Sequence, residues 1–226
     1  MVDIHSHVLP LVDDGSSSLE SSLKMVSALY AEGVTDLILT PHYRKEYKPN
    51  TEELKNAFSE FCLRVYEACV PINLYLGQEV YIDKNYKTII ASGKVLTVNG
   101  TDKVLIEFSY DGQTDMAEVV YDLKKSGYVP IVAHVERYSG VTVACVKEIK
   151  EIGGLIQVNA SSLFSLTKKK MVLELIRNGL VDFIASDMHN KRKPLLKKAH
   201  SLIKKKFGET VASKLFCENA LTIIKG

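Results

Sequence analysis

Short apolar runs alternate with amphipathic stretches along almost the whole chain, and this alternation narrows the folds open to it. The runs cover residues 2–7, 36–42, 73–81, 103–109, 129–135, 154–161 and 181–189. Each is brief and rich in Val, Ile, Leu, Phe or Tyr, which marks a strand. Val129-Pro130-Ile131-Val132-Ala133 is apolar throughout, as a strand covered on both faces should be. Between the runs the apolar period lengthens to that of a helix. Leu19, Leu23, Val26 and Tyr30 keep one stripe, with Ser17 and Glu20 at capping-box spacing and Gly33 at its end. Further helices are predicted from Asn50 to about Cys69 and over 115–126, 142–152, 168–178, 194–206 and 209–216. Gly127, Gly153 and Gly179 follow three of them, where a left-handed residue is wanted.

Seven strands, most followed by a helix, predict parallel βα units in an α/β fold. A closed barrel and an open doubly wound sheet both satisfy this pattern. The whole chain, residues 1–226, is expected to form one domain, with 46% hydrophobic and 25% charged residues. Lys+Arg is 29 and Asp+Glu is 27, a net charge of +2 that gives no drive toward nucleic acid. No signal peptide and no membrane span is expected. Cys62, Cys69, Cys145 and Cys217 form no CxxC pair and read as reduced thiols of a cytoplasmic protein. None has an arginine six positions later, so none fits a phosphate-attacking thiolate; Ala68, Tyr75, Glu151 and Ile223 stand there.

Five of the six histidines, His5, His7, His42, His134 and His189, fall at the C-terminal ends of predicted strands. Glu79, Glu107 and Asp187 join them at equivalent places. In parallel α/β folds sites are built at that edge. His5 and His7 are two apart on one strand, and Asp187 and His189 repeat the spacing on the last. Imidazole mixed with carboxylate suits Mn, Fe, Zn or Ni better than Ca or Mg. Eight such groups exceed the needs of one ion and point to two or three. Asp14, in Val12-Asp13-Asp14-Gly15, is either a further ligand or a turn residue. Arg137, three residues past His134, suits a phosphate or an ion pair with a carboxylate. Arg44 and Lys45 open a polar loop over 44–50 and either attract an anionic substrate or are simply solvated. Arg192 sits three residues past His189, in a lysine-rich stretch, and either reaches the site or faces solvent.

Taken in order, the motifs resemble a known family. They are Asp3-Ile4-His5-Ser6-His7, Val12-Asp13-Asp14-Gly15, Thr40-Pro41-His42, Gln78-Glu79-Val80-Tyr81, Leu105-Ile106-Glu107-Phe108, Ala133-His134-Val135-Glu136-Arg137-Tyr138, Gln157-Val158-Asn159-Ala160-Ser161 and Ala185-Ser186-Asp187-Met188-His189-Asn190. Together they resemble the PHP-superfamily manganese-dependent protein-tyrosine phosphatases of bacterial capsule and exopolysaccharide loci. That resemblance implies a distorted, seven-stranded TIM-like (β/α)7 barrel of the PHP type. It implies two or three divalent ions, Mn foremost with Fe or Zn as alternatives, on His5, His7, His42, Glu79, Glu107, His134, Asp187 and His189. It implies Arg137 as the phosphate-binding arginine, and a substrate on the tyrosine-rich tail of a capsule-regulating kinase. The expected reaction is direct hydrolysis by a metal-activated hydroxide without a phosphoenzyme, with His42 beside Arg137 in the catalytic set. A small-molecule phosphatase of the histidinol-phosphate type, a metal-dependent nuclease and a non-catalytic metal-binding module are the rival readings, and oligomerisation stays open.

Overall fold

A computed structural model describes residues 1–225. Among the described residues nine short strands run in chain order as β1 (Val2–Asp3), β2 (Asp36–Leu39), β3 (His42–Tyr43), β4 (Asn73–Leu76), β5 (Glu79–Tyr81), β6 (Lys103–Glu107), β7 (Val129–Val132), β8 (Leu155–Asn159) and β9 (Phe183–Ala185). All of their pairings are parallel, in two sheets ordered β1-β2-β4 and β3-β5-β6-β7-β8-β9. The seven predicted runs are all present, but two of them break. The run over 36–42 divides at Thr40-Pro41 into β2 and β3, and that over 73–81 divides at Gly77-Gln78 into β4 and β5. Pro41 has no N–H to give the ladder, so it interrupts the pairing there. Its carbonyl still accepts from Glu79 N at 3.2 Å, and Leu39 O accepts from Gly77 N at 2.8 Å, so the halves stay in line. Beyond β9, Asp187 N donates to His5 O (3.0 Å) and His7 N to Met188 O (2.9 Å), which joins the last strand's extension to the first's.

The helices are α1 (Leu19–Ala31), α2 (Thr51–Glu67), α3 (Tyr86–Ala91), α4 (Met116–Lys125), α5 (Val143–Ile152), α6 (Lys169–Arg177), α7 (Leu196–Phe207), α8 (Glu209–Ser213) and α9 (Asn219–Lys225), with a π-helical turn (Lys214–Glu218) between the last two. Asn50, Asp115 and Thr142 cap α2, α4 and α5 through their side chains. The cap of α1 is Ser18 rather than Ser17: Ser18 Oγ takes Ser21 N at 3.1 Å, and Ser17 Oγ accepts from Asn190 instead. The capping-box spacing missed by one residue because three serines in a row offer the same hydroxyl. Helix α3 was not expected; it is a six-residue segment too short to show a period. No helix among the described residues is long and apolar enough to cross a membrane.

Strand alternation sorts the interior. Val104, Ile106, Ile156, Val158 and Ile184 face the helices, within the larger apolar core. Leu105, Ile131, Ala133, Phe183 and Ala185 face the other way and form a second cluster with Val2, Ile4 and Ile38. Ala220, Ile223 and Ile224 of α9 pack into that inner cluster, so the last helix extends the core beyond the predicted end at 216. Following the same inward face toward the strands' C-terminal ends replaces apolar side chains by Glu107 on β6, Gln157 and Asn159 on β8, and Asp187 past β9, all of them buried. One apolar layer therefore supports one polar layer. Burying so much polar surface is tolerable only where each group finds a partner.

Candidate metal centre

Five imidazoles and three carboxylates meet in the polar layer. Glu79 is the hub. Its Oε2 lies 3.3 Å from His5 Nε2, 3.3 Å from His7 Nε2 and 3.0 Å from His42 Nδ1, and its Oε1 lies 3.0 Å from His134 Nε2. Asp187 Oδ1 stands 3.3 Å from His189 Nδ1 and 3.7 Å from His7 Nε2. The donor atoms fall into four overlapping triads, each within 4.8 Å: His7, His42 and His189; His5, His7 and Asp187; His5, Glu79 and His134; His42, Glu79 and Glu107.

Local backbone aims these groups. On β7, Ile131 and Ala133 face inward, so alternation would turn His134 outward. His134 instead takes a left-handed conformation, φ 30° and ψ 53°, and its ring enters the polar layer. Asp187 is also left-handed, at φ 51°. Such backbone costs about 1–3 kcal/mol per residue and persists only where its surroundings hold it. Gly15 is needed for a different reason. A Cβ there would lie 2.1 Å from His7 O and 2.2 Å from His7 Cβ, so only glycine lets the 13–15 turn close over His7. Gly15 O accepts from Asn190 N at 2.8 Å, which ties the turn to the segment carrying His189.

The tautomers point the free lone pairs inward. Asp13 Oδ2 accepts from His7 Nδ1 at 2.7 Å, and Gln157 Oε1 from His5 Nδ1 at 3.1 Å. With both Nδ1 atoms donating, the Nε2 atoms of neutral His5 and His7 carry lone pairs, yet they stand only 3.1 Å apart. Only a cation, or a captured proton, reconciles two lone pairs at that distance. His42 Nδ1, His134 Nδ1 and Glu107 Oε2 are buried without a hydrogen bond; the contact of His42 Nδ1 with Glu79 is close but misaligned. This nitrogen–oxygen set, with buried donors left over, fits divalent transition metals.

Electrostatics follow. Burial works against charge on His5 and His7, but Glu79 and Asp187 beside the first, and Asp13 and Glu79 beside the second, hold both imidazoles above their ordinary value. Burial likewise opposes the charge on Glu79, and the imidazoles of His5 and His42 overcome it and hold the carboxyl well below its usual range. His189 goes the other way, pushed down to about 4 by burial and by His7.

Of the remaining predicted residues, Arg137 and Arg192 reach the centre and Lys45 does not. Arg137 Nη1 donates to Asp187 Oδ2 at 3.1 Å, with its guanidinium 4.7 Å from the Tyr110 ring centroid. Arg192 Nη1 donates to the same oxygen and to Asp187 O. Asp14 sits at the rim, 46% exposed, with Oδ1 3.5 Å from His42 Nε2 and Oδ2 accepting from Arg44 Nη2 at 3.2 Å. Lys45 is exposed in the turn closed by Arg44 and Tyr47. Sequence reading passed over Asp13, which is the buried carboxylate of the Asp13-Asp14 pair and also takes His42 N at 2.9 Å. Adjacent carboxylates point opposite ways, and composition does not say which points in. It also left Tyr110 unremarked, whose Oη donates to Glu107 Oε1 at 2.8 Å.

Residues 1–225 match the family model described as capsular polysaccharide synthesis, CpsB/CapC. The chain belongs to the CpsB/CapC family. Among CpsB/CapC relatives, the tyrosine-protein phosphatase CpsB of Streptococcus agalactiae is 33% identical, with 100% of this chain and 98% of that protein aligned. The tyrosine-protein phosphatase YwqE of Bacillus subtilis is 31% identical, over 100% of this chain and 92% of its own length. A crystal structure from work on YwqE of B. subtilis and CpsB of Streptococcus pneumoniae, described as unique metal-dependent tyrosine phosphatases, superposes at a TM-score of 0.93. It is 30% identical and covers 100% of this chain and 94% of that one. An organophosphorus hydrolase of Deinococcus radiodurans superposes at 0.68 with 11% identity, over 99% of this chain and 92% of that one, and shares the fold alone.

Proposed function

We propose that this CpsB/CapC chain is a metal-dependent protein-tyrosine phosphatase that hydrolyses phosphotyrosine on a protein substrate. The observation that carries this reading is the convergence of two guanidiniums, Arg137 and Arg192, on one carboxylate oxygen of a four-triad imidazole–carboxylate centre. Cations alone would fit a structural site; two arginines beside them fit a phosphate dianion. His5, His7, His42, Glu79, Glu107, His134, Asp187 and His189 would hold two or three divalent ions, with manganese our first choice and iron or zinc the alternatives. Bound there, such ions supply Lewis acidity to phosphoryl oxygens and acidify a water.

The protein's own groups do the rest. Arg137, braced on Tyr110, and Arg192 bind and orient the phosphoryl oxygens and offset their charge in the transition state. His42 presents Nε2 toward Asp14 at the rim, where a proton can meet the departing tyrosyl oxygen. Arg44 borders the same rim and adds positive charge, and Lys45 contributes at longer range. Asp13 and Gly15 keep His7 in place. No cysteine is called for, and all four are free thiols, as suits a cytoplasmic enzyme. We read the substrate as the tail of a bacterial tyrosine kinase controlling capsule synthesis. We further read the chain as one domain and its two sheets as a distorted seven-staved barrel of the PHP type; the bonds from Asp187 and His7 across the first and last strands support this.

The test is direct. Protein reloaded with Mn2+ is offered phosphotyrosine peptide, histidinol phosphate and single-stranded DNA in parallel. Phosphotyrosine peptide should be the preferred substrate. Preference for histidinol phosphate would replace this reading by the small-molecule one, and no turnover of any would leave a binding module.

Loading should depend steeply on pH. His5 and His7 must both be neutral to bind a cation, and both hold protons above their ordinary value. The facing pair shares one captured proton, which loading must displace, so where that proton is held affinity for Mn2+ should fall about tenfold per pH unit, and it should level off above that range. Calorimetric titration across pH measures the slope; a flat profile would remove these two histidines from the ligand set.

A further inference from the structure

Gln157-Val158-Asn159 is buried beside the centre, yet β8 contributes no candidate ligand. Both side chains are inward on alternating positions, Gln157 at 0% and Asn159 at 4% exposure. Burying two amides in a polar layer costs free energy unless all their donors and acceptors are placed. Nearly all are.

The orientation of each amide is fixed by its ends. His134 N donates to Gln157 at 2.8 Å, and a backbone N–H requires an acceptor, so the oxygen Oε1 faces it. That same oxygen lies 3.1 Å from His5 Nδ1, so Nδ1 must carry the proton and the lone pair sits on Nε2. Gln157 Nε2 therefore points the other way and donates to Asn159 Oδ1 at 2.8 Å. Asn159 Nδ2 then donates to Asp187 Oδ2 at 2.8 Å, where a carboxylate can only accept. Asn159 N donates to Glu136 Oε1 at 2.9 Å, which locks the backbone of β8 to the segment that follows His134.

We infer that Gln157 and Asn159 form a directional amide relay whose task is to set the His5 tautomer, pin the left-handed His134 backbone and hold Asp187, so that three donors from three strands present to the metals together. The inference rests on the metal-centre reading. The two amides are positioning residues and touch no substrate. The left-handed backbone at both His134 and Asp187 gives the relay a second purpose, because each is strained and each is bonded to one end of it. A chain of like-directed hydrogen bonds also polarises its members, so loss of Gln157 weakens the hold on Asp187 as well as on His5.

Two readouts test this without the phosphatase reaction. In ¹⁵N-histidine spectra of chelated protein at alkaline pH, where imidazoles are neutral, His5 should hold its proton on Nδ1. Gln157→Leu should mix the two tautomers and weaken Mn2+ binding by about 10- to 100-fold in calorimetric titration. Gln157→Glu keeps an acceptor for His5 and His134 but cannot donate to Asn159. It should restore the His5 tautomer while recovering only part of the affinity. Asn159→Leu, the second variant should Gln157→Leu not fold, should leave the tautomer alone and still weaken Mn2+ binding. The relay is overturned if His5 carries its proton on Nε2 in the parent protein, or if the folded variants bind Mn2+ as the parent does and merely melt earlier. A parent protein that binds no Mn2+ would overturn both the metal centre and the relay, whereas normal parent binding with unaffected variants overturns the relay alone.

Discussion

Glu79→Gln should abolish Mn2+-supported turnover, by about 10³-fold or more, and weaken the metal by at least about 100-fold. Glutamine has the size and shape of glutamate, so the packing of β5 against β3 and β6 stays. What goes is a negative charge within 3.3 Å of four imidazoles, His5, His7, His42 and His134. No other side chain in the centre touches so many of them. The carboxyl is 1% exposed, and its depressed pKa says that its charge is worth more in the folded protein than its burial costs. An amide in its place can also turn its NH2 toward the cations and repel them.

The same variant has a signature in chelated protein. The parent's His5 holds a proton above its ordinary value, so its contribution to stability is fully present below the unfolded value and is lost as pH rises through the folded one. Glu79 is the largest of the charges that raise it. Without Glu79 the chelated protein should lose stability chiefly at low pH, and the gap between parent and variant melting temperatures should narrow toward alkaline pH. Thermal melts of both proteins with chelator at about pH 5 and about pH 9 check this. A gap that widened with pH would mean that Glu79 stabilises the fold by something other than the imidazoles.

Much of the centre could be read from sequence because its donors are rare residue types at a recurrent place. A histidine at a strand's end, repeated on separate strands, is hard to produce by packing alone. The strands were legible for the same reason: Val, Ile and Leu in short runs leave few alternatives. What stayed hidden is what depends on direction. Asp13 and Asp14 are equivalent as letters, yet one caps His7 and the other meets Arg44. Gln157 and Asn159 were visible as a motif without a chemistry, since amides are unremarkable until their partners are known. The breaks at Pro41 and Gly77 were passed over because apolar residues continue on either side and the register is the same before and after them, Asp36 pairing with Asn73 and His42 with Glu79. The inward apolar face of α9 was cut short because the π-turn at Lys214–Glu218 shifts the helical period just before it.

Arg137→Ala should lower kcat/KM for a phosphotyrosine peptide by about 10³-fold while leaving bound Mn2+ unchanged. Both halves follow from where the guanidinium sits. It is only 31% exposed and rests over Tyr110, so it meets an entering phosphate already oriented, and little freedom is left to lose on binding. It contacts the centre only through Asp187, on an oxygen, Oδ2, that also takes Asn159 and Arg192. Removing one of three donors leaves that carboxylate held, which is why metal content should survive. Arg192 is 42% exposed and lies on the segment past His189, so Arg192→Ala should cost less, about tenfold. Arg137→Lys tests the fork itself. Lysine keeps the charge and loses the planar pair of donors, and it should recover only part of the lost rate. Metal analysis of each variant decides the role. If Arg137→Ala lost Mn2+ along with activity, the arginine would be holding Asp187 for the metals, and phosphate recognition would pass to Arg192.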